Sequence, residues 1–266
     1  MEPTDRAEPA DRVIHHDRAT AFRRFDRGGD GPTVCFVHGS GGNAGVWTAQ
    51  ARLADRFPVV ALDLSGHGES DDVGTPAGEA TLEAYADDVV AVAEATDADA
   101  LCGNSLGGAV ALWTALERDL ELDGLVLAGT GARLAVSEGL LEMLADDFDR
   151  AVSWLHGPDR LFHDASADLL ERSRTAMREC GRAVTERDFR TCHGFDARDR
   201  LGEVTVPTLA VVGERDALTP PQYHEFLADR IPDCEYVAID DAAHLAMLER
   251  PAAFNAALAG FLERLD

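Results

Sequence analysis

The stretch "LCGNSLGGAV", residues 101–110, ends an apolar run with a single hydroxyl, Ser105, set between Gly103 and Gly107, and then resumes with helix formers. A strand that turns directly into a helix strains the residue at the corner and crowds its neighbours. Small residues two positions before and two after relieve the crowding, lift the hydroxyl clear of the backbone and aim the amino end of the helix at it. The same letters could spell an ordinary turn, so the reading depends on what surrounds them.

Outward from Ser105 the chain alternates between two kinds of segment. Short β-branched runs ending in Gly, Asp or a polar cluster recur at "TVCFVHG" (33–39), "PVVALDL" (58–64), "DALCGNS" (99–105), "GLVLAGT" (124–130), "TLAVVGERD" (208–216) and "EYVAIDD" (235–241). None alternates strictly. Strands that are apolar on both sides belong in the middle of a sheet covered on two faces, as parallel sheets are. Segments of helical period lie between them, at "TLEAYADDVVAVAEAT" (81–96), "LGGAVALWTALERD" (106–119) and "PPQYHEFLADRI" (220–231), and "PAAFNAALAGFLERL" (251–265) follows the last run. Strand and helix in turn predict an α/β fold with a mostly parallel, doubly wound sheet. One excursion breaks the rhythm. From Ala132 to His193 the sequence is helical, without a convincing strand, and it lies between two strands of one sheet. The expected division is a core of residues 1–131 and 194–266 and a helical cap of residues 132–193.

Composition removes several functions. With 24 cations against 49 acids the net charge is −25, and every cation is an arginine because the chain contains no lysine. The acids are spread along the chain and not gathered into a tail. Such a field repels nucleic acid and anionic membranes, and neither is an expected partner. No apolar run approaches the roughly 18–20 residues that cross a bilayer. The leading "MEPTDRAEPADRVIHHDRAT" has no apolar h-region, so the protein is expected in the cytosol. Five widely spaced cysteines, Cys35, Cys102, Cys180, Cys192 and Cys234, read as buried thiols and not as a disulfide framework. Cys192 stands beside His193, but no second pair lies at zinc-ligand spacing, and no metal is expected.

In open α/β sheets ligands bind beyond the carboxyl ends of the strands, which is where Ser105 falls. A serine hydroxyl needs a base held by a carboxylate. Among nine histidines, His244 follows "EYVAIDD" and precedes the last helix, at the same sheet edge as Ser105. His15, His16, His156, His163 and His224 lie in polar or helical surroundings that a solvated side chain explains, and His193 is placed at the cap interface. For the carboxylate, Asp216 ends an apolar strand before a proline-marked helix start; Asp240, Asp241 and Glu214 are the other candidates. Attack on a carbonyl creates an oxyanion. One backbone donor to it is the amide of Leu106, and the other should come from "HGSGGNAGVW" (38–47), where Ser40 follows His38 and Gly39. That loop is not the G-x-G-x-x-G of a dinucleotide site.

The motifs "HGSGGNAGVW" (38–47), "DLSGHGES" (63–70), "GNSLGG" (103–108), "GERDALTP" (213–220) and "DDAAHLAMLERP" (240–251) together resemble the α/β-hydrolase superfamily over most of the chain, in its order of nucleophile, acid and base. The resemblance implies an eight-strand-type sheet with a helical cap after the sixth strand, a triad of Ser105, Asp216 and His244, and an oxyanion hole from the amides of Ser40 and Leu106. Serine at the corner, in place of aspartate, implies acyl transfer to water. Asn104 stands where relatives often carry histidine and is expected to be tolerated; His67 is expected to be structural. The implied activity is that of a carboxylesterase, a serine hydrolase cleaving a small ester or lactone through an acyl-enzyme, with no metal or organic cofactor. The same triad in small capped relatives also supports carbon–carbon bond hydrolysis or perhydrolysis of the haloperoxidase type, and a non-catalytic receptor for a small ligand would keep the fold. Trp154, Phe162, Met143, Phe148 and Met177 are candidates for an apolar pocket wall, although their helical spacing fits packing of the cap equally well.

The charge carries a prediction of its own. Like charges repel over about 10 Å at 0.1 M salt and only about 3 Å at 1 M, so a chain this acidic should need molar salt, as in a salt-saturated cytosol. The melting temperature is expected to rise between low and molar KCl; a thermal scan with no rise would contradict this.

Overall fold

The chain enters its sheet through a hairpin absent from the reading above. Strands β1 (Asp11–His15) and β2 (Arg18–Phe25) pair antiparallel across His16 and Asp17. The φ angles of these two residues, 46° and 59°, give the two-residue turn whose twist matches that of paired strands. The computed structural model describes residues 10–265; residues 1–9, part of the leading stretch discussed above, and residue 266 lie outside the described residues. The six apolar runs follow as β3 (Val34–Val37), β4 (Val59–Leu62), β5 (Ala100–Asn104), β6 (Gly124–Ala128), β7 (Thr208–Gly213) and β8 (Cys234–Ile239). One eight-stranded sheet results, in the order β1-β2-β4-β3-β5-β6-β7-β8. Strand β2 is antiparallel to both neighbours and the remaining pairs are parallel.

The helices are α1 (Glu79–Thr96), α2 (Leu106–Glu117), α3 (Glu138–Asp146), α4 (Phe148–Leu155), α5 (Ala167–Cys180), α6 (Arg182–Gly194), α7 (Pro221–Arg230), the short α8 (Ala246–Glu249) and α9 (Pro251–Leu262). They explain why the central strands do not alternate in polarity. Val34 and Phe36 of β3 face one apolar layer with Trp47 and with α9 residues Phe254 and Leu258, while Cys35 and Val37 face another with Leu82 and Tyr85 of α1 and Leu112 of α2. Successive side chains point to opposite faces, so a strand covered on both must be apolar throughout. Helices α3 to α6 form the excursion after the sixth strand. Ser137, Asp147 and Ser166 start three of them by accepting the N–H groups of Leu140, Arg150 and Leu169. Leu140, Leu144, Val152 and Leu155 carry the apolar stripe that seats these helices on the core. No helix among the described residues is long and apolar enough to cross a membrane.

The corner between β5 and α2 sets the position of everything at this sheet edge. Ser105 has φ 56° and ψ −118°, a region that costs a non-glycine residue about 1–3 kcal/mol. Its neighbours hold it there: the Ser105 N–H donates to the Ala128 carbonyl at 3.0 Å, and its carbonyl accepts the Thr130 hydroxyl at 2.8 Å. A Cβ on Gly103 would lie 2.1 Å from the Gly107 carbonyl oxygen, and one on Gly107 would lie 2.3 Å from that of Val37. Both contacts are with backbone, which cannot swing aside. Gly107→Ala should therefore lower the unfolding free energy by about 3 kcal/mol. Gly139→Ala in α3, where an added Cβ meets nothing within 4 Å, should stay within about 0.5 kcal/mol of the parent. Denaturant titration of both variants checks this, and a Gly107→Ala protein as stable as the parent would mean that α2 does not begin where the structure places it.

Candidate active site

Three strand ends bring the expected side chains to one rim: Ser105 follows β5, Asp216 follows β7 and His244 follows β8. Asp216 and His244 are buried, at 3% and 5% exposure, and Asp216 Oδ2 accepts His244 Nδ1–H at 2.8 Å. The rest of the carboxylate is saturated. Its Oδ1 accepts the N–H groups of Leu218 and Thr219 at 2.8 and 2.9 Å, and Oδ2 also accepts the Thr219 hydroxyl at 2.7 Å. Burial works against the charge, but the imidazole and these donors outweigh it and hold Asp216 below the usual carboxylate range. The competing acids Glu214, Asp240 and Asp241 are exposed. Ser105 and His244 line a single cavity of about 860 Å³. Asn104 donates to the carbonyls of Ala128 at 3.1 Å and His244 at 3.3 Å, so the residue beside the serine clamps the histidine loop. His244 makes its hydrogen bonds through Nδ1, and no bond from Ser105 Oγ to Nε2 is formed among the described residues. Such bonds tighten when substrate binds.

The loop after β3 lies against the serine: a Cβ on Gly39 would come within 3.0 Å of Ser105 Cβ. Ser40 lines the same cavity. The loop is pinned by buried groups. His38 Nε2 accepts the Leu64 N–H at 3.1 Å, which leaves Nδ1–H to donate to the Gly39 carbonyl at 2.9 Å. Burial, aided by the nearby His67, pushes the His38 imidazole down to about 4, so it stays neutral and keeps that tautomer. Asp63 accepts the Ala44 N–H at 2.7 Å. The Cys192 sulfur lies 3.8 Å from Ser40 Oγ, and burial pushes its thiol up to about 12, so it remains protonated.

Other expectations need correction. Trp154 and Met177 line the cavity, but Phe162, Met143 and Phe148 do not. Phe162 is 3% exposed within the core, and the other two pack half-buried against it. The apolar stripe of a cap helix serves the seam with the core before it serves the pocket. His156 and His224 are buried, not solvated: His156 Nδ1 donates to the Val152 carbonyl at 2.7 Å, and His224 Nε2 accepts the Thr130 N–H at 2.9 Å. His193 is exposed and donates to the Val136 carbonyl at 2.9 Å, which ties α6 to the start of the cap. All five cysteines are free, with Cys180 and Cys234 only half-buried.

Sequence reasoning missed the segment between α4 and α5. The carbonyls of Asp159, Arg160 and Leu161 accept the N–H groups of Ala217, His244 and Leu245 at 3.0, 3.2 and 3.0 Å. Glu249 of α8 adds a second clamp, accepting from the amides of His163 and Asp164 at 2.8 Å and of Ala243 at 2.7 Å. Its one signal in the sequence is a carboxylate directly after the apolar "LAML" (245–248).

Residues 36–257 match the model of the Alpha/beta hydrolase family. The chain is 33% identical over 247 residues to a pimeloyl-[acyl-carrier protein] methyl ester esterase of Neisseria meningitidis, a match covering 86% of this chain and 76% of that protein. It is 25% identical over 252 residues to 3-oxoadipate enol-lactonase 1 of Acinetobacter baylyi, covering 88% and 90%. Among solved structures, a thermophilic esterase from Thermogutta terrifontis superposes with a TM-score of 0.81 at 28% identity, over 96% of this chain and 99% of that one.

One buried carboxylate joins the cap to this rim. Asp188 of α6 accepts the Tyr85 hydroxyl at 2.7 Å, His67 Nε2–H at 2.9 Å and the Gly41 N–H at 3.2 Å. Burial opposes a charge on His67, but the Asp188 carboxylate outweighs it and raises the ring well above its ordinary value. A group raised in the folded state stabilises fully below its unfolded value, about 6.5, and ceases to do so as the pH climbs through the folded one. Unfolding free energy at fixed salt should therefore decline from pH 6 towards alkaline pH. His67→Gln should lose about 3 kcal/mol at pH 6, by leaving Asp188 unpaired, and should flatten the decline. Parallel slopes for parent and variant would show that the ring is not charged.

Proposed function

This chain belongs to the alpha/beta hydrolase family, and on that premise we propose that it is a serine hydrolase acting on an ester or lactone through an acyl-enzyme on Ser105. The observation that carries the reading is the buried Asp216–His244 hydrogen bond of 2.8 Å on the cavity that Ser105 also lines. Asp216, held below the usual carboxylate range, stays ionised and fixes the proton of His244 on Nδ1. Nε2 is then the acceptor. It takes the Ser105 proton as the oxygen attacks the carbonyl, and returns it to the leaving alkoxide. The negative oxygen of the tetrahedral intermediate is received by the amides of Leu106, at the start of α2, and Ser40. Each such donor lowers a barrier of this kind by about 3 kcal/mol. Water, deprotonated by the same imidazole, releases the acyl group. Similarity to an esterase and to an enol-lactonase supports the ester and lactone class. The −25 charge with arginine as its only cation supports a high-salt cytosol as the working medium.

Turnover of a p-nitrophenyl ester in molar KCl, together with labelling by a fluorophosphonate, tests the assignment. Ser105→Ala should lose at least about a thousandfold in kcat and all labelling. Activity of the parent should fall at acidic pH, because a protonated imidazole cannot accept the serine proton. A Ser105→Ala protein that retains turnover would remove the basis of the reading.

A further inference from the structure

The charge on the cavity wall is opposite to that of the protein. Among the described residues, the permanently charged side chains lining the cavity are Arg27, Arg52 and Arg172, and no Asp or Glu joins them, although the chain carries 49 acids and 24 arginines. Arg27 and Arg52 line the cavity from exposed positions. Arg27 lies between β2 and β3 and Arg52 in the turn Gln50–Leu53, and the Arg27 N–H binds the Ala54 carbonyl at 3.0 Å, so the two backbones are tied. Arg172 projects from α5 and pairs with Asp168 of the same helix at 3.2 Å.

Many guanidinium groups elsewhere meet carboxylates: Arg18 meets Asp88, Arg118 meets Glu83 and Asp87, Arg187 meets Asp72, and Arg200 meets Glu117 and Glu203; others, such as Arg12 and Arg150, meet none among the described residues but lie away from the cavity. Arg27 and Arg52 are exposed, and among the described residues their side chains make no ion pair or hydrogen bond. In a chain with twice as many carboxylates as cations, two exposed guanidinium groups without a carboxylate therefore line the cavity itself. A neutral substrate gains nothing from such a lining. An anion approaching a surface of net charge −25 is repelled on average, and a local positive lining reverses the sign at the cavity. The planar guanidinium fork matches carboxylate and phosphate oxygens in particular.

We infer that Arg27 and Arg52 form a subsite for a terminal oxyanion, a carboxylate or a phosphate, at the end of the substrate remote from the bond that Ser105 cleaves. The apolar part of the cavity lining, which includes Trp154, Leu140 and Met177, suits the connecting chain. The inference rests on the Ser105 reading and deepens it by naming the class of substrate.

The test compares p-nitrophenyl esters of matched chain length ending in a carboxylate, a phosphate or a methyl group, at one salt concentration and over a series of lengths. At the best length at least one anionic ester should exceed the methyl-ended one by about tenfold in kcat/KM, and the better of the two identifies the natural oxyanion. The double variant Arg27→Gln with Arg52→Gln should reduce that ratio to about twofold or less, mainly through KM. Arg150→Gln, at an exposed arginine away from the cavity, should keep the parent ratio. Anionic esters no better than the methyl-ended one at any length, or a ratio unmoved in the double variant, would overturn the subsite. No turnover of any of these esters by the parent, the methyl-ended one included, would count against the Ser105 reading instead.

Discussion

Helix α2 can begin where it does only because nothing stands between Gly107 and the Val37 carbonyl, or between Gly103 and the Gly107 carbonyl. This close approach is the constraint on which the site depends. It brings the helix start against the end of β3, turns the chain at Ser105 into a backbone region that other residues avoid, and leaves the hydroxyl on the cavity side. The strain is about 1–3 kcal/mol, and hydrogen bonds on both sides of the Ser105 peptide hold it in place. The loop bearing Ser40 and the helix start bearing Leu106 are thus positioned by one packing event, so the candidate nucleophile and candidate oxyanion donors are not independent features.

The cap is a structural partner of this rim. Three successive carbonyls between α4 and α5 bind the amides of Ala217, His244 and Leu245, so the acid loop and the histidine loop share one strap. On the other side, Asp188 reaches from α6 to the amide of Gly41 in the loop that follows β3. A carboxylate with no exposure is tolerable here because a hydroxyl, an imidazolium and an amide satisfy it together. Through it α6 is tied to the loop that follows β3.

Central strands, the helices between them, the cap insertion and the three residues at the strand ends were legible because each depends on local pattern: an apolar run, a helical period, a small residue at a corner. The β1–β2 hairpin was not. Its turn is made by His16 and Asp17 without a glycine, and β2 reads "RATAFRRF", whose arginines mask a strand that is paired on both sides and buries Ala19 to Phe22. Pocket residues were only half legible for a different reason. Spacing says that Trp154, Phe162 and Met143 sit on an apolar side, but not whether that side faces core or cavity; only the docking angle of the cap decides. Burial of His156 and His224 was hidden in the same way, since a polar neighbourhood in sequence is not one in space. Asp216 could be preferred over Asp240 and Asp241 because neighbours on one short loop rarely point at the same imidazole nitrogen, and the structure leaves both of those acids exposed.

The absence of acids from the described cavity wall also bears on the chemistry within. A carboxylate facing a catalytic imidazole from the substrate side favours the charged ring, which can no longer act as a base. In a chain where acids outnumber cations two to one, keeping the wall free of them leaves Asp216, on the far side of the ring, as the carboxylate bonded to His244. The arrangement separates two electrostatic tasks. The exterior is acidic, while the described cavity wall carries Arg27, Arg52 and Arg172 and one saturated carboxylate stands behind the histidine. Surface and site can then carry opposite signs, because the low-dielectric walls and short contacts of the cavity set its local field more strongly than distant, screened charges do.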